Sequence, residues 1–102
     1  MEFPTEIVGE KGYITVIGNL DTQEAGESLR VAFNQLLEQG KRTVVIDLRT
    51  VQIINSFGIG KIISCYKRIK SEQGSLMVKL SPGYVKETFE LLMLSPLLPI
   101  EP

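Results

Sequence analysis

Side chains able to carry out catalysis are scarce in this sequence. It contains no histidine, one cysteine (Cys65) in an apolar helical segment, and no close pair of carboxylates in a predicted cleft. Acid–base and nucleophilic catalysis need such groups within hydrogen-bonding reach of one another. We therefore predict that the chain is not an enzyme. One cysteine also excludes an internal disulfide, and we expect neither a metal ion nor a cofactor.

Asn55 and Ser56 are the polar residues whose position is most informative, because they interrupt an apolar stretch. Both are preferred helix N-caps, and they precede an apolar stripe at helical spacing: Ile59, Ile62, Ile63, Tyr66 and Ile69. Ser56 is thus predicted at or beside a helix start, where free N–H groups and the helix dipole favour negative charge. A phosphate on Ser56 would be tolerated there. Taken alone, a serine in this position is more often a plain N-cap than a regulated residue.

Four residues close to Ser56 have two interpretations each. Phe57 falls opposite the apolar stripe, so it faces solvent or a partner. Alternatively, the first turn of the helix is tilted and Phe57 packs against the sheet. Gly58 and Gly60 resemble part of a phosphate-binding loop, but they lack its further glycine or lysine. Small residues that let a helix approach the sheet are the favoured explanation. Cys65 lies off the stripe, so we expect it to be partly buried and structural rather than a redox switch.

The apolar pattern predicts alternating strands and helices. Residues 6–17 suit two short strands joined by a turn between Gly9 and Gly12, which is a hairpin. Residues 43–48 contain an unbroken apolar run, typical of a central strand covered on both faces, and residues 75–80 suit a further strand. With three helices the order is β-β-α-β-α-β-α. This order predicts an α/β fold with a mixed sheet and crossover helices, in a single domain spanning residues 1–102.

The first and third helices have clear boundary signals. Asp21 or Thr22 can cap the first helix, which ends at Gly40 and is weakened only by Gly26. Its predicted apolar stripe consists of Leu29, Ala32, Phe33, Leu36 and Leu37. The third helix follows residues 81–83, and its predicted inner face consists of Val85, Phe89, Leu92 and Met93.

The C-terminal residues combine prolines and leucines. Prolines at positions 96, 99 and 102 forbid continued helix and predict an extended tail. The leucines nearby are interpreted mainly as core and closing contacts, with a partner surface as the alternative. They are Leu91, Leu92, Leu94, Leu97 and Leu98.

Composition and charge restrict the possible partners. The chain has 102 residues, 11 basic and 12 acidic, with a net charge of −1. It therefore lacks the basic excess that directs proteins to nucleic acid or anionic lipid. The N-terminus lacks the features of a signal peptide, and no apolar run is long enough to span a bilayer. We expect a cytoplasmic protein with no nucleic-acid partner and no membrane insertion.

Nearly the whole chain resembles the STAS family, which comprises bacterial anti-sigma factor antagonists and related stand-alone or transporter-linked domains. The similarity runs through residues 17–21, 44–48 and 53–60, and continues at Leu80-Ser81-Pro82, Val85, Phe89 and Leu92. Its most specific part is the corner of Asn55, Ser56, Phe57 and Gly58. The family usually has aspartate where Asn55 stands and a second small hydroxyl residue where Phe57 stands. The resemblance implies a small mixed sheet with helices mainly on one side.

The resemblance also implies a function. The family's phosphorylated hydroxyl residue corresponds to Ser56, which suggests a phosphorylation-controlled protein-binding switch. Its expected partners are a GHKL-type serine kinase or anti-sigma factor and a PP2C-type serine phosphatase. We expect the partner to contact Asn55, Phe57, Gly58, Lys61 and Asp21. The alternative is a constitutive STAS subunit of an ABC-transporter or stressosome-like assembly.

Overall fold

Four strands form one mixed sheet in a computed structural model that describes all 102 residues. They are β1 (Thr5–Val8), β2 (Lys11–Thr15), β3 (Thr43–Asp47) and β4 (Ser75–Lys79). Their order in the sheet is β1-β2-β3-β4. The first two strands form the predicted antiparallel hairpin, whereas β2, β3 and β4 are parallel neighbours. The strand predicted over residues 43–48 is therefore an interior strand.

Three helices connect or follow the parallel strands, as parallel pairing requires. They are α1 (Gln23–Glu38), α2 (Ser56–Ser71) and α3 (Tyr84–Leu91). The predicted order β-β-α-β-α-β-α is confirmed. Thr22 rather than Asp21 caps α1, since its hydroxyl oxygen accepts a hydrogen bond from the Ala25 N–H at 3.1 Å. The two longest helices have 16 residues, and no helix is both long and apolar enough to cross a bilayer.

The core lies between the helices and one face of the sheet. Alternate strand residues, among them Ile14, Ile46 and Val78, pack with the helices into one apolar cluster. The predicted stripe of α1 is buried throughout. Val45 is also completely buried, but it lies outside this cluster because its side chain points to the opposite, helix-free face. Helices on one side of a small mixed sheet are therefore confirmed.

The buried stripe of α2 differs from the predicted one. Cys65 is only 5% exposed, while Ile63 and Tyr66 are half-buried. The helix packs against α1 as well as β4, so its inward face is turned toward Cys65. The expectation that Cys65 is partly buried is therefore wrong. Burial raises the pKa of its thiol to about 12, which keeps the thiol protonated and unreactive.

The leucines after α3 divide into two groups. Val85 and Phe89 are buried as predicted, but Leu92 and Met93 are exposed and were wrongly assigned to the inner face. The helix ends at Leu91, and Met93 adopts a positive φ of 55°, which redirects the chain. Leu94 and Leu98 then enter the core in their place, while Leu91, Leu92 and Leu97 remain exposed.

The C-terminal tail runs alongside β4, beyond the edge of the sheet. The Val78 N–H donates to the Pro99 carbonyl at 2.9 Å, and the Glu101 N–H donates to the Val78 carbonyl at 2.8 Å. The Glu101 carboxylate accepts hydrogen bonds from the Tyr13 hydroxyl and the Lys11 ammonium. We call this group, together with Lys79 at 3.6 Å, the Glu101 cluster. The hydrogen bond from Lys11 is the main cause that lowers the pKa of Glu101.

Candidate functional site

The segments that follow β2 and β3 meet at the C-terminal ends of these two strands. The Leu20 N–H donates to the Ile53 carbonyl at 3.0 Å. The side-chain oxygen of Asn19 accepts hydrogen bonds from the backbone N–H groups of Gln52 and Ile53, at 3.3 and 3.0 Å. Asn19 therefore fixes the loop that leads to Ser56. Sequence reasoning did not assign it this role, although an asparagine after Gly18, where a strand breaks, is a signal for such a contact.

Asn55 is the N-cap of α2, and Ser56 is the first residue of the helix. The Asn55 side-chain oxygen accepts from the N–H groups of Phe57 and Gly58, at 3.0 and 3.2 Å. Its amide nitrogen donates to the Asp21 carbonyl at 3.2 Å, which ties the start of α2 to the segment before α1. The predicted position of Ser56 is confirmed. Two of the N–H groups expected to be free for a phosphate are, however, already bonded to Asn55.

The Ser56 side chain is exposed, and its hydroxyl has no hydrogen-bond partner within the protein. Two other hydroxyl residues near this site are bonded instead. Ser64 donates to the Gly60 carbonyl at 3.0 Å, and Thr50 donates to the Val16 carbonyl at 3.4 Å. The Ser56 hydroxyl is therefore free to meet an incoming molecule.

Phe57 lies between the two interpretations given above. Its side chain is 42% exposed, and the Lys61 ammonium lies 6.0 Å from the ring centroid. Its inner edge faces α1 rather than the sheet, because a Cβ on Gly26 would come within 3.1 Å of Phe57 Cε1 and 2.8 Å of Lys61 Cγ. Gly26 weakens α1 in isolation but gives these two side chains room against it.

The two glycines of α2 have different roles. A Cβ on Gly58 would stand 2.0 Å from the backbone carbonyl oxygen of Leu20, whereas a Cβ on Gly60 would meet nothing within 4 Å. Close approach of the helix therefore explains Gly58 and does not explain Gly60. This contact holds the start of α2 against the segment that carries Asp21.

All residues predicted to form the site lie close together at the start of α2, and all but the buried Gly58 reach the surface. The hydrogen bond from Asn55 joins Asp21 to the start of α2, and Lys61 lies one turn along the helix beside Phe57. The arrangement presents a hydroxyl, an aromatic ring and an ammonium group to solvent, which are features of a protein-binding surface. We call it the Ser56 corner; it comprises Asp21, Asn55, Ser56, Phe57, Gly58 and Lys61.

Comparison with known proteins agrees with this architecture. The solution structure of TM1081 superposes with a TM-score of 0.82 at 25% identity, covering 99% of this chain and 81% of that one. A crystal structure of this Thermotoga maritima protein, assigned as an anti-sigma factor antagonist, gives 0.80 at 22% identity, covering 96% and 84%. The Bacillus cell fate determinant SpoIIAA in its phosphorylated form gives 0.73 at 20% identity, covering 98% and 91%.

The family assignment rests on a match to a family model rather than on superposition. A family model for the STAS domain matches residues 2–102, which is almost the whole chain. The resemblance seen at the Ser56 corner and in the strand pattern is therefore confirmed at the level of the family. This chain belongs to the STAS domain family.

Proposed function

We propose that this protein is a binding switch whose control residue is Ser56. The observation that carries the proposal is the free, exposed hydroxyl of Ser56 at the first position of α2. A kinase must reach such a hydroxyl without first breaking a hydrogen bond or displacing a packed side chain. Ser64 and Thr50 are weaker candidates, because each donates its hydroxyl proton to a backbone carbonyl.

Phosphorylation would change this surface through local charge. A phosphoserine carries about −1.5 to −2 charges, and a bound partner would have to take that charge out of water. The N–H groups of Phe57 and Gly58 already donate to the Asn55 side chain, so the phosphate would point away from the helix and toward the partner. Since about 1.4 kcal/mol is a tenfold change in affinity, even a modest desolvation penalty would cause the complex to dissociate.

The partners are inferred from the family. SpoIIAA, which has this fold, has been solved in both phosphorylated and unphosphorylated forms. We infer that the unmodified chain docks on a GHKL-type serine kinase or anti-sigma factor and releases the protein that it holds, and that a PP2C-type serine phosphatase restores the unmodified state. The partner would supply ATP and Mg²⁺, so we assign the switch to the cytoplasm. Asn55, Phe57, Lys61 and Asp21 would form the contact surface around Ser56, and the buried Gly58 would hold the helix start in place beneath them.

Mass spectrometry after incubation with the cognate kinase and ATP tests the modification directly. We expect phosphate on Ser56 alone and none on the Ser56→Ala variant. Phosphate mainly on Thr50 or Ser64, with Ser56 unmodified, would refute the proposal.

A pair of variants tests the consequence for binding. Ser56→Ala should bind the partner and escape control, whereas Ser56→Asp should bind more weakly while remaining folded. Calorimetric titration against the partner measures both affinities, and thermal melts show whether each variant is folded. Equal affinities for the two variants would contradict a switch.

A constitutive subunit of an ABC-transporter or stressosome-like assembly is the second candidate. It is favoured by the exposed apolar side chains at the end of α3, with Leu91 83% and Met93 77% exposed. Large exposed apolar side chains in one segment are typical of a permanent protein–protein interface. In this case Leu91→Ser with Met93→Ser should abolish assembly, and Ser56→Asp should leave it intact. The opposite pattern would support the switch.

A further inference from the structure

The cations of this chain are concentrated on α2. The helix carries four basic residues and no acidic one, in a protein whose net charge is −1: Lys61, Lys67, Arg68 and Lys70. In contrast, α1 has three acidic residues and a single basic one, Arg30. The two helices pack side by side, and Lys61 and Arg68 of α2 lie beside Arg30, the one cation of α1, at their junction.

A concave site of about 220 Å³ lies at this junction, and we call it the α1–α2 groove. Its rim carries cationic and amide side chains from both helices, and its floor is apolar. The floor contains Phe33 and Cys65, both almost fully buried. The polar lining consists of Arg30, Asn34, Lys61, Ser64 and Arg68.

The positive charge of the groove is only partly neutralised. Arg30 pairs with Glu27, and the Arg68 Nε lies 2.8 Å from a Glu72 carboxylate oxygen. Glu72 is shared with a further cation, since Arg42 contacts its other oxygen at 3.0 Å. The Lys61 ammonium forms no ion pair and lies 6.0 Å from the centroid of the Phe57 ring. The field of Lys61 nevertheless reaches Glu27, where it adds to the hydrogen bond from Arg30 that lowers the pKa of that carboxyl.

We infer that the α1–α2 groove binds a carboxylate-bearing segment of the protein partner that docks at Ser56. This inference rests on the proposed function and adds the chemistry of the partner. Lys61 belongs both to the Ser56 corner and to the groove, so the two surfaces are continuous. From Phe57 to Arg68 the helix rises about 16 Å, which an extended peptide of about five residues spans.

Charge and size favour an acidic peptide over other anions. The chain has 11 basic and 12 acidic residues, so it lacks the overall basic excess that binding the continuous phosphate backbone of a nucleic acid requires. Guanidinium groups from Arg30 and Arg68 on opposite helices suit separate carboxylates along a chain. An acidic segment in the groove would also add to the effect of phosphorylation, because a phosphate on Ser56 would face like charge on the partner.

Solution NMR of the unphosphorylated Ser56→Ala protein tests this inference with a hexaglutamate peptide. We expect amide shift changes centred on Arg30, Asn34, Lys61 and Arg68, saturating at millimolar peptide and lost at high salt. Lys61→Gln together with Arg68→Gln should weaken binding at least tenfold. The matched control Lys67→Gln removes a cation of the same helix outside the groove and should change affinity less than twofold.

Several results would overturn the inference. One is the absence of shift changes at about 5 mM peptide, a concentration at which even weak binding is detected. The others are equal binding of hexaglutamine and shift changes spread evenly over Lys67 and Lys86. The same shifts with inorganic phosphate alone would indicate a small-anion site, and tighter binding of a single-stranded oligonucleotide would indicate a nucleic-acid site. Because Ser56 is absent from the test protein, failure here leaves the phosphorylation proposal standing. Conversely, failure of Ser56 phosphorylation does not affect the peptide result.

Discussion

The Glu101 cluster and the Ser56 corner hold their polar groups in opposite ways. The Glu101 side chain is 9% exposed and is bonded to the Tyr13 hydroxyl at 2.8 Å and the Lys11 ammonium at 2.9 Å. At the Ser56 corner the Ser56 hydroxyl has no protein partner, and Lys61 forms no ion pair. Paired polar groups stabilise the fold, whereas unpaired ones stay available to another molecule. We therefore associate the cluster with stability and the corner with recognition.

Gly58→Ala should have the largest effect on stability, because it would push a Cβ against the Leu20 carbonyl oxygen. Backbone atoms cannot yield as a side chain does, so we expect a loss of about 3 kcal/mol or more in the free energy of unfolding. Denaturant titration measures the loss. The matched control Gly60→Ala meets no neighbour and should stabilise the protein by about 0.5–1 kcal/mol. Similar effects of the two substitutions would show that close approach does not shape the corner.

Asn55→Ala should cost about 1 kcal/mol, within a range of roughly 0.5–2, because two N–H groups of α2 lose their acceptor. Asn55→Asp keeps that acceptor and should recover most of the loss. Ser56→Ala is the control and should lie within about 0.5 kcal/mol of the unmodified protein, since Ser56 is not the cap. Thermal or denaturant unfolding distinguishes the three. If Ser56→Ala were as costly as Asn55→Ala, the assignment of the cap would be wrong.

Glu101→Gln should lower the melting temperature modestly at neutral pH, and its effect should depend on pH. The pKa of Glu101 in the folded protein lies below its ordinary value of 4.5, first because of the hydrogen bond from Lys11. A lowered folded-state pKa contributes stability above the unfolded-state pKa, and that contribution is lost as the pH falls through the folded-state pKa. The two proteins should therefore differ in melting temperature at pH 7, and the difference should vanish as the pH falls through the lowered pKa of Glu101. Glu90→Gln, at an exposed site outside any ion pair, is the control and should not change the melting temperature. A constant difference across the pH range would exclude this linkage.

Phe57→Ala should lower the free energy of unfolding by only about 1 kcal/mol, because 42% of the residue already faces solvent. Its effect should appear in partner binding, where a buried aromatic anchor can contribute about 2 kcal/mol or more. Calorimetry with the partner and a thermal melt separate the two quantities. A core phenylalanine would instead cost about 3–5 kcal/mol of stability. That loss, with binding unchanged, would remove Phe57 from the recognition surface.

Periodicity and turn residues were sufficient to determine the element order. Alternation of apolar residues, the glycines at strand and helix ends, and the run at residues 43–48 are local signals, and each strand and helix follows from them. The helix start at Asn55 and Ser56 was equally local. The family resemblance then identified Ser56 as the residue to examine.

What the sequence alone could not determine depends on contacts between residues far apart in the chain. Cys65 is buried because α2 packs on α1 as well as on the sheet. The sequence of α2 alone does not indicate that α1 is a second packing partner. Leu92 and Met93 are exposed because the chain changes direction at the end of α3, and Leu94 and Leu98 lie in the core instead.

The surface chemistry likewise depended on the tertiary structure. Arg30 and Arg68 are 38 positions apart in the sequence and share one groove only because two helices lie side by side. In the sequence Gly26 only weakens a helix, whereas in the fold it leaves the space that Phe57 and Lys61 occupy beside α1. The sequence by itself determined the strands, the helices and the position of the serine. Only the packing of those elements decided which of its charges were paired and which were left exposed, because pairing is set by distances that the linear order does not contain.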